Sequence, residues 1–193
     1  MIGAPAGHPG LYNPLDMEGR IEPVDREYIR RHWEETWGLP VVSIDRTYEP
    51  EDVQGLVWRD EWGDAQGLIT WHIEGEHAEI VTVDAYQQGR HIGGRLLDGA
   101  EAELRRRGVH HATIVTTNDN LRAIAFYVRR GYRMVRIALD DMERVRKIKP
   151  SVPRLGLNNV PLRDMIELEK DLTEAAQGGS HRIPEGARPE TFA

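Results

Sequence analysis

The chain has 193 residues, which is the length of a single domain at the usual ~100–200 residues per domain. Hydrophobic residues make up 39% and charged residues 30%, which is enough for one core and argues against a wholly disordered chain. A net charge of −7 disfavours a dedicated nucleic-acid binder, and the lack of cysteine excludes disulfides, thiolate metal sites and cysteine nucleophiles.

The two ends of the chain differ from its middle. The first 23 residues hold four Gly and four Pro, which predicts an irregular N-terminal arm over residues 1–22. The end of the chain has a similar composition and predicts a flexible tail over 176–193. A single folded domain is expected between them, over 23–175. No apolar run approaches the ~20 residues that cross a bilayer, so no membrane partner is expected, and the missing cysteine fits a reducing, cytoplasmic location.

The first half of the domain has the pattern of a helix followed by an antiparallel meander. Ile29, Trp33 and Trp37 recur at four-residue spacing, which predicts a helix over Val24–Trp37. Runs rich in β-branched residues, separated by turns, then predict strands. These are Val41–Glu49, Val53–Arg59, Gly67–Ile73 and His77–Val83.

The second half alternates between helices and strands. The stripe formed by Ile92, Leu96, Ala100 and Leu104 predicts a helix that ends before Gly108. A final helix over 160–172 is predicted from Pro161 in a first-turn position and from the spacing of the apolar residues that follow it. The order of elements indicates an α+β fold. The predicted elements are helix Ile92–Arg107, strand Ala112–Thr117, helix Leu121–Arg130, strand Tyr132–Leu139 and helix 160–172.

The stretch from Val83 to Leu97 has the pattern of an anion site. It combines a strand end, a polar loop with glycines and a helix N-terminus, so several backbone N–H groups and the helix dipole point at one spot. Gly89, Gly93 and Gly94 let an anion approach the backbone, and Arg90, His91 and Arg95 add positive charge. This pattern favours a pyrophosphate, and the alternative is a turn that uses glycine for geometry alone. Neither the P-loop nor the dinucleotide glycine pattern is present, which disfavours ATP and NAD.

Two signatures in this order resemble the GNAT superfamily, the acetyl-CoA-dependent N-acetyltransferases. Gln88-Gly-Arg-His-Ile-Gly93 resembles its acyl-CoA signature, Q/R-x-x-G-x-G/A. Asn120-Leu-Arg-Ala-Ile-Ala-Phe-Tyr127, followed by Gly131-Tyr132, resembles its second signature, N-x-x-A-x-x-F-Y…G-F/Y. The resemblance covers about 20–140, and the rest resembles the C-terminal extension of some bacterial members. One departure is His91, which stands where the first glycine of the family signature usually lies.

The resemblance implies a mixed, mostly antiparallel central sheet flanked by helices, and direct acetyl transfer from acetyl-CoA to an amine in a ternary complex. It assigns the cofactor to the backbone of Val83, to the acyl-CoA loop, and to Asn120 and Ala123 of the second signature. It assigns Tyr127 to the cofactor site and to the role of general acid for the leaving thiolate, against the alternative of a core tyrosine. The loop residues are Gln88, Gly89, Arg90, His91, Ile92, Gly93 and Gly94.

The general base is expected on the strand before the loop. Residues 77, 79, 81 and 83 should share one face of that strand, and Val83 should lie near the thioester. Glu79 is therefore the first candidate and His77 the second, and a solvated strand carboxylate is the alternative. The eight histidines are scattered, so no metal is expected.

A small-molecule amine acceptor is the favoured partner, with no nucleic acid, and a homodimer is one expected assembly because dimers are common in similar proteins. Two other functions stay open from the sequence. One is a protein lysine or N-terminal acetyltransferase, and the other is a non-catalytic acyl-CoA-binding module. The tryptophans, including Trp33, Trp37 and Trp58, either pack in the core or wall an acceptor cleft.

Overall fold

The computed structural model describes residues 19–87 and 91–173. The helices are α1 (Arg26–Thr36), α2 (Ile92–Arg106), α3 (Leu121–Arg129) and α4 (Met142–Ile148). The strands are β1 (Gly19–Val24), β2 (Val41–Val42), β3 (Thr47–Tyr48), β4 (Gln54–Asp60), β5 (Ala65–Glu74), β6 (His77–Ala85), β7 (His111–Thr117), β8 (Arg133–Ala138) and β9 (Met165–Asp171). Short 3₁₀ helices cover Pro50–Asp52 and Leu157–Asn159.

Seven strands form the central sheet in the order β1-β4-β5-β6-β7-β9-β8, and β2 pairs with β3 beside it. Neighbouring strands run antiparallel, except that β6 and β7 run parallel. The parallel pair is joined through α2, as parallel strands need a crossover connection. The predicted α+β fold with a mixed, mostly antiparallel sheet flanked by helices is confirmed.

Apolar side chains fill both faces of the sheet. On one face, α2 buries Leu96, Leu97, Ala100 and Leu104 in the largest core cluster, as the helical stripe predicts. On the other face, α1 buries Ile29 and Trp33 against the strands. A third cluster joins α4 to β9 through a smaller apolar set. Its buried members are Ile44, Met142, Val145, Leu162 and Met165.

The predicted helix over 160–172 is wrong, because this segment contains strand β9. Leu162, Met165 and Ile166 satisfy helical spacing, but Ile166 and Leu168 also alternate with the partly exposed Glu167 and Glu169, as a strand requires. β9 lies between β7 and β8 and pairs with both, so its hydrogen bonds come from strands distant in the sequence. Such tertiary pairing overrides a short, ambiguous local pattern.

The predicted arm over 1–22 is also wrong at its end, because β1 begins at Gly19 and pairs along β4. Gly19 permits this pairing, since a Cβ there would lie 2.2 Å from the Trp58 ring. Pro23 is tolerated because β1 is an edge strand. The rest of the predicted arm and the predicted tail over 176–193 lie outside the described residues. None of the helices in the described ranges is long and apolar enough to span a bilayer.

Candidate active site

The candidate site begins where β6 and β7 separate. Their pairing runs from His77 and His111 to Ile80 and Ile114, and both strands then continue without pairing to each other. A gap therefore opens in the middle of the sheet, and backbone groups beside it are available to a ligand. One cavity lies on each side of this gap, and Asn120 lines both cavities.

A β-bulge in β6 changes which side chains face each cavity. Thr82 pairs with Thr70 and Ile80 pairs with Trp71, so Val81 is an extra residue on β6. Val81 packs with the α1 cluster, whereas Val83 packs with the α2 cluster on the opposite face. The expectation that residues 77, 79, 81 and 83 share one face is therefore wrong at Val83.

The larger cavity, of about 700 Å³, lies among the end of β6, the start of α2 and the helix α3. It collects every residue assigned to the cofactor that the structure describes, while Gln88, Gly89 and Arg90 lie outside the described residues. The predicted residues that line it are Val83, His91, Ile92, Gly93, Gly94, Asn120, Ala123 and Tyr127. Arg122 and Arg129 of α3 line it as well, so cations and the α2 N-terminus share this cavity.

The start of α2 has the backbone geometry of an anion-binding turn. His91 is the N-cap and has φ of 56°, in the left-handed region that favours glycine. This conformation explains why glycine usually occupies the position in the family signature. The His91 side chain makes no capping hydrogen bond, and it lines the cavity instead. The first N–H groups of α2 have no partners within the helix, so they can bind an anion.

The two glycines that follow have different surroundings. A Cβ at Gly93 would meet Ala85 and Phe126 at 3.8 Å, which is ordinary contact. A Cβ at Gly94 would lie 1.9 Å from Nη2 of Arg130, whose Nη1 donates to Asp98 at 2.5 Å. A side chain at Gly94 would therefore require the Arg130 guanidinium to move, whereas a methyl group at Gly93 would make only ordinary contacts with its described neighbours.

Asn120 and Tyr127 lie on α3 as the second signature predicts. The Asn120 side chain accepts from the backbone N–H of Ala123 at 3.2 Å and so caps the helix. Tyr127 is 8% exposed, and burial together with the charge of Asp84 raises the pKa of its hydroxyl above the usual value. A protonated phenol therefore lies on the wall of the larger cavity at every physiological pH.

The smaller cavity, of about 260 Å³, lies on the α1 side of the gap. Glu79 lines it and is half-buried, and the Tyr48 hydroxyl donates to Glu79 Oε2 at 2.8 Å. Burial raises the pKa of the Glu79 carboxyl, and the bond from Tyr48 opposes this shift. The cavity lining consists of Trp37, Val42, Ser43, Glu79, Val81, Val115, Thr116, Thr117, Asn120, Met142, Val145, Lys149, Val152, Leu162 and Met165.

His77, the second candidate for the base, lies at the start of β6, away from the gap. Its exposed ring stacks on His111, with 4.9 Å between ring centroids. His77 is not among the described residues that line either cavity. The structure therefore brings Glu79, and not His77, to the site.

The sequence did not indicate the cluster of polar side chains around Trp37, which lines the smaller cavity. Asp84 Oδ2 lies 3.0 Å from His32 Nε2, and both Asp84 oxygens accept from the Trp37 indole N–H at 3.0 and 3.2 Å. His32 Nδ1 lies 3.2 Å from the Tyr86 hydroxyl.

Met142 and Val145 of α4 also line the smaller cavity and were not predicted. Their spacing of three residues was the signal in the sequence that could have indicated a helix face there. Among the described residues, no group of three His, Asp or Glu is arranged to hold a metal ion.

The sequence matches the Acetyltransferase (GNAT) family over residues 21–132. It is 34% identical over 150 residues to the uncharacterized protein YxbD of Bacillus subtilis (strain 168), covering 77% of this chain and 94% of YxbD. The fold is similar to that of the IAA acetyltransferase from Bacillus cereus ATCC 14579, with a TM-score of 0.65 and 20% identity over 80% of this chain and 99% of that chain. It is also similar to a GNAT family acetyltransferase from Elizabethkingia anophelis with acetyl-CoA bound, with a TM-score of 0.62 and 15% identity over 79% of this chain and 97% of that chain. The chain therefore belongs to the GNAT acetyltransferase family, which confirms the resemblance carried by the two signatures.

Proposed function

We propose that the protein transfers the acetyl group of acetyl-CoA directly to a primary amine of a small molecule in a ternary complex. The observation that carries this proposal is the pair of cavities on opposite faces of the sheet, which share Asn120 at the gap between β6 and β7. Acetyl-CoA and an amine would enter from opposite sides and meet in the gap. This arrangement aligns two reactants without a covalent enzyme intermediate.

The larger cavity suits coenzyme A. Its volume of about 700 Å³, the N-terminus of α2 and the arginines of α3 fit a long thiol carrying pyrophosphate. The pantetheine arm would run along Val83 towards the gap. Val83 and Asn120 would hold the arm, and the backbone from His91 to Gly94 would hold the phosphates.

Tyr127 and Glu79 suit the two proton transfers. The amine nitrogen bonds to the acetyl carbon, and the carbon–sulfur bond breaks. Glu79 removes one proton from the ammonium, directly or through one water, so that the neutral amine can attack. Tyr127 protonates the departing thiolate, and the second proton that the nitrogen loses as the amide forms goes to the Tyr127 phenolate or to solvent. Burial raises the pKa of Glu79 towards the range of an effective base, and the raised pKa of Tyr127 keeps its hydroxyl protonated until the thiolate forms.

The covered acceptor cavity favours a small molecule over a protein. Arg146 of α4 donates to the carbonyl oxygens of Pro153 and Leu162 at 2.8 and 2.6 Å. These bonds hold the segment after α4 in place, and Val152 and Leu162 from this segment line the cavity. A peptide would have to displace this segment, whereas a small amine would not.

The test has two parts. Isothermal titration should detect acetyl-CoA binding, and thiol release from acetyl-CoA should accelerate when a small primary amine is added. Absence of binding at millimolar acetyl-CoA would disprove the proposal. If acetyl-CoA binds but no amine accelerates the slow loss of the thioester, the result would support a non-catalytic module. If turnover is faster with a lysine or N-terminal peptide than with any small amine, the result would support a protein acetyltransferase.

A further inference from the structure

We infer that Asp119 is a positioning residue for the acceptor, whose buried carboxylate holds a hairpin of residues 154–162 closed over the smaller cavity and so limits the length of the acceptor. This inference rests on the proposed acetyl transfer. Asp119 has no part in the two proton transfers, and it is not among the described residues that line either cavity. Its hydrogen bonds indicate a different role, which is to fix the cover of the acceptor site.

The hairpin of residues 154–162 lies between α4 and β9 in the chain, and its tip contacts the loop between β7 and α3. Leu155 pairs with Pro161 in an antiparallel bridge, and the Leu162 N–H donates to the carbonyl oxygen of Arg154 at 2.9 Å. Leu162 lines the smaller cavity. Movement of the hairpin away from the sheet would therefore open this cavity.

Asp119 holds the tip of this hairpin. Its Oδ2 accepts from the backbone N–H of Leu157 at 2.7 Å, and its Oδ1 accepts from the Thr117 hydroxyl at 2.5 Å. The residue is 5% exposed, so its carboxylate has lost most of its hydration and depends on these donors. The carboxylate and the hairpin tip therefore stabilise each other.

Gly156 shows how closely the tip approaches this carboxylate. A Cβ at Gly156 would lie 2.0 Å from Asp119 Oδ2 and 2.6 Å from Asp119 Cγ. The lack of a side chain at Gly156 therefore allows the carboxylate to reach the N–H of the next residue, Leu157.

The contact lies beside the point where the two cavities meet. Asp119 directly precedes Asn120, which lines both cavities. On the other side of Asp119, the Asn118 Oδ1 accepts from the backbone N–H groups of Arg163 and Asp164, each at 3.0 Å. The loop between β7 and α3 thus holds the hairpin at its tip and just after its end. An acceptor longer than the closed cavity, such as a lysine side chain on a peptide, would have to break these contacts.

Thiol labelling tests the closure without an acceptor. The chain has no cysteine, so Val145→Cys places a single thiol on the wall of the smaller cavity, where Val145 is 5% exposed. Adding Asp119→Ala should raise the rate of maleimide labelling at least about tenfold, because the hairpin opens more often. Asp119→Asn keeps an oxygen for the Leu157 N–H and should raise the rate less than about threefold.

The matched control for labelling is Val109→Cys. Val109 is a valine that is 1% exposed and belongs to the core cluster on the α2 side, and it is absent from both cavity linings. Asp119→Ala should change its labelling rate less than about threefold. Equal acceleration at both positions, or none at Val145→Cys, would overturn the inference, because Asp119 would then support the whole fold or nothing at the cavity.

A double variant tests the contact between Asp119 and Gly156. Gly156→Ala should raise the labelling of Val145→Cys at least about fivefold, because the added methyl group displaces the carboxylate. In the Asp119→Ala background the methyl group has room, so the further increase should be less than about twofold. Increases that multiply in the double variant would show that the two residues act independently and would contradict the inference.

Acceptor kinetics test the consequence for selection. Thiol release from acetyl-CoA is measured with phenethylamine and with an N-acetylated hexapeptide that contains one lysine. Asp119→Ala should raise the ratio of kcat/KM for the peptide to kcat/KM for phenethylamine at least about tenfold, with the KM for acetyl-CoA changed less than about twofold. An unchanged ratio in a protein whose cavity labels faster would exclude Asp119 from acceptor selection and leave acetyl transfer intact. If neither compound accelerates thiol release in any variant, the proposed function fails and acceptor selection fails with it, whereas labelling still measures the closure.

Discussion

Tyr127 and Tyr132 form a natural pair for testing the general acid. Both are buried tyrosines with raised pKa, but Tyr127 lines the cofactor cavity, whereas the Tyr132 hydroxyl donates to Glu101 at 3.2 Å. Tyr127→Phe should lower kcat by roughly 10²-fold, because the thiolate loses its proton donor, with little change in acetyl-CoA affinity. Tyr132→Phe should keep kcat and lose only stability. Steady-state kinetics and calorimetric titration measure both, and unchanged turnover in Tyr127→Phe would exclude its role as acid.

The pH profile tests Glu79 as the base. Glu79 accepts a proton only when ionised, so kcat/KM should fall as the pH falls through its raised pKa. Tyr48→Phe removes a hydrogen bond to the carboxylate, so that pKa should rise further and the acidic limb should move up by about half to one pH unit. Glu167→Gln removes a nearby negative charge and should move the limb in the opposite direction. Glu79→Gln should remove the limb, and an unchanged limb in that variant would assign it to another group.

His91 retains a side chain where its backbone favours glycine, which costs stability. With φ of 56°, the Cβ is crowded by the backbone, and glycine relieves this strain. His91→Gly should therefore raise the free energy of unfolding by about 0.5–1 kcal/mol, while His91→Ala, which keeps a Cβ, should not. Urea denaturation of the two variants measures the difference. Equal stability of both variants would show that the turn is not strained.

At the scale of elements, the sequence predicted those helices and strands that have strong local patterns. It did not predict the elements that depend on pairing with distant parts of the chain. The helix predicted over Ile92–Arg107 differs from α2 by one residue at its end. The prediction is accurate because the spacing of the apolar residues and the glycine at position 108 indicate the same helix. β9 was mistaken for a helix because its seven residues satisfy two periods, and its partners β7 and β8 are remote in sequence. The bulge at Val81 could not be predicted from the sequence either, because it depends on the register of β6 with β5. The cofactor residues were predictable because they lie in two short segments.

The start of α2 allows fold and cofactor binding to be tested separately. Gly93→Ala adds a methyl group where the fold has room, between Ala85 and Phe126 on the wall of the larger cavity. It should weaken acetyl-CoA binding about tenfold and leave the unfolding free energy within about 0.5 kcal/mol. Gly94→Ala should instead displace the flexible Arg130 side chain from Asp98, an exposed ion pair whose loss should cost less than about 1 kcal/mol. Titration and urea denaturation together decide, and equal loss of stability in both variants would contradict this division.

At the scale of the whole molecule, the smaller cavity shows why a site cannot always be predicted from the sequence. The residues that line the smaller cavity come from the end of α1, from β2, β6 and β7, from the N-cap of α3, from α4 and the segment that follows it, and from β9, which are spread over more than a hundred residues. Arg144 and Arg146 of α4 donate to the backbone carbonyls of Ser43 and Leu162, two residues that line this cavity. Nothing in the local spacing of these residues indicates such partners. Only the folded sheet brings these separate segments together around Glu79.

A buried ion network connects helix α2 to strand β9 of the sheet. Glu101 of α2 is 3% exposed, and Lys170 of β9 donates to its two oxygens at 2.8 and 2.7 Å. Arg105 and Tyr132 also donate to it. None of these four residues lines either cavity, so the network supports the fold and not the chemistry.

Lys170→Met should therefore lower the free energy of unfolding by about 3 kcal/mol, because it leaves a buried carboxylate short of positive charge. Adding Glu101→Gln should restore part of this loss, since the double variant has no uncompensated charge. The surface pair Arg154–Glu143 is the control, and Arg154→Gln should cost less than about 0.5 kcal/mol because Arg154 is 77% exposed. Urea denaturation measures all three variants, and kcat measured at a temperature where each is folded should stay near the wild-type value. A Lys170→Met protein as stable as the Arg154→Gln protein would show that the network does not hold α2 to β9.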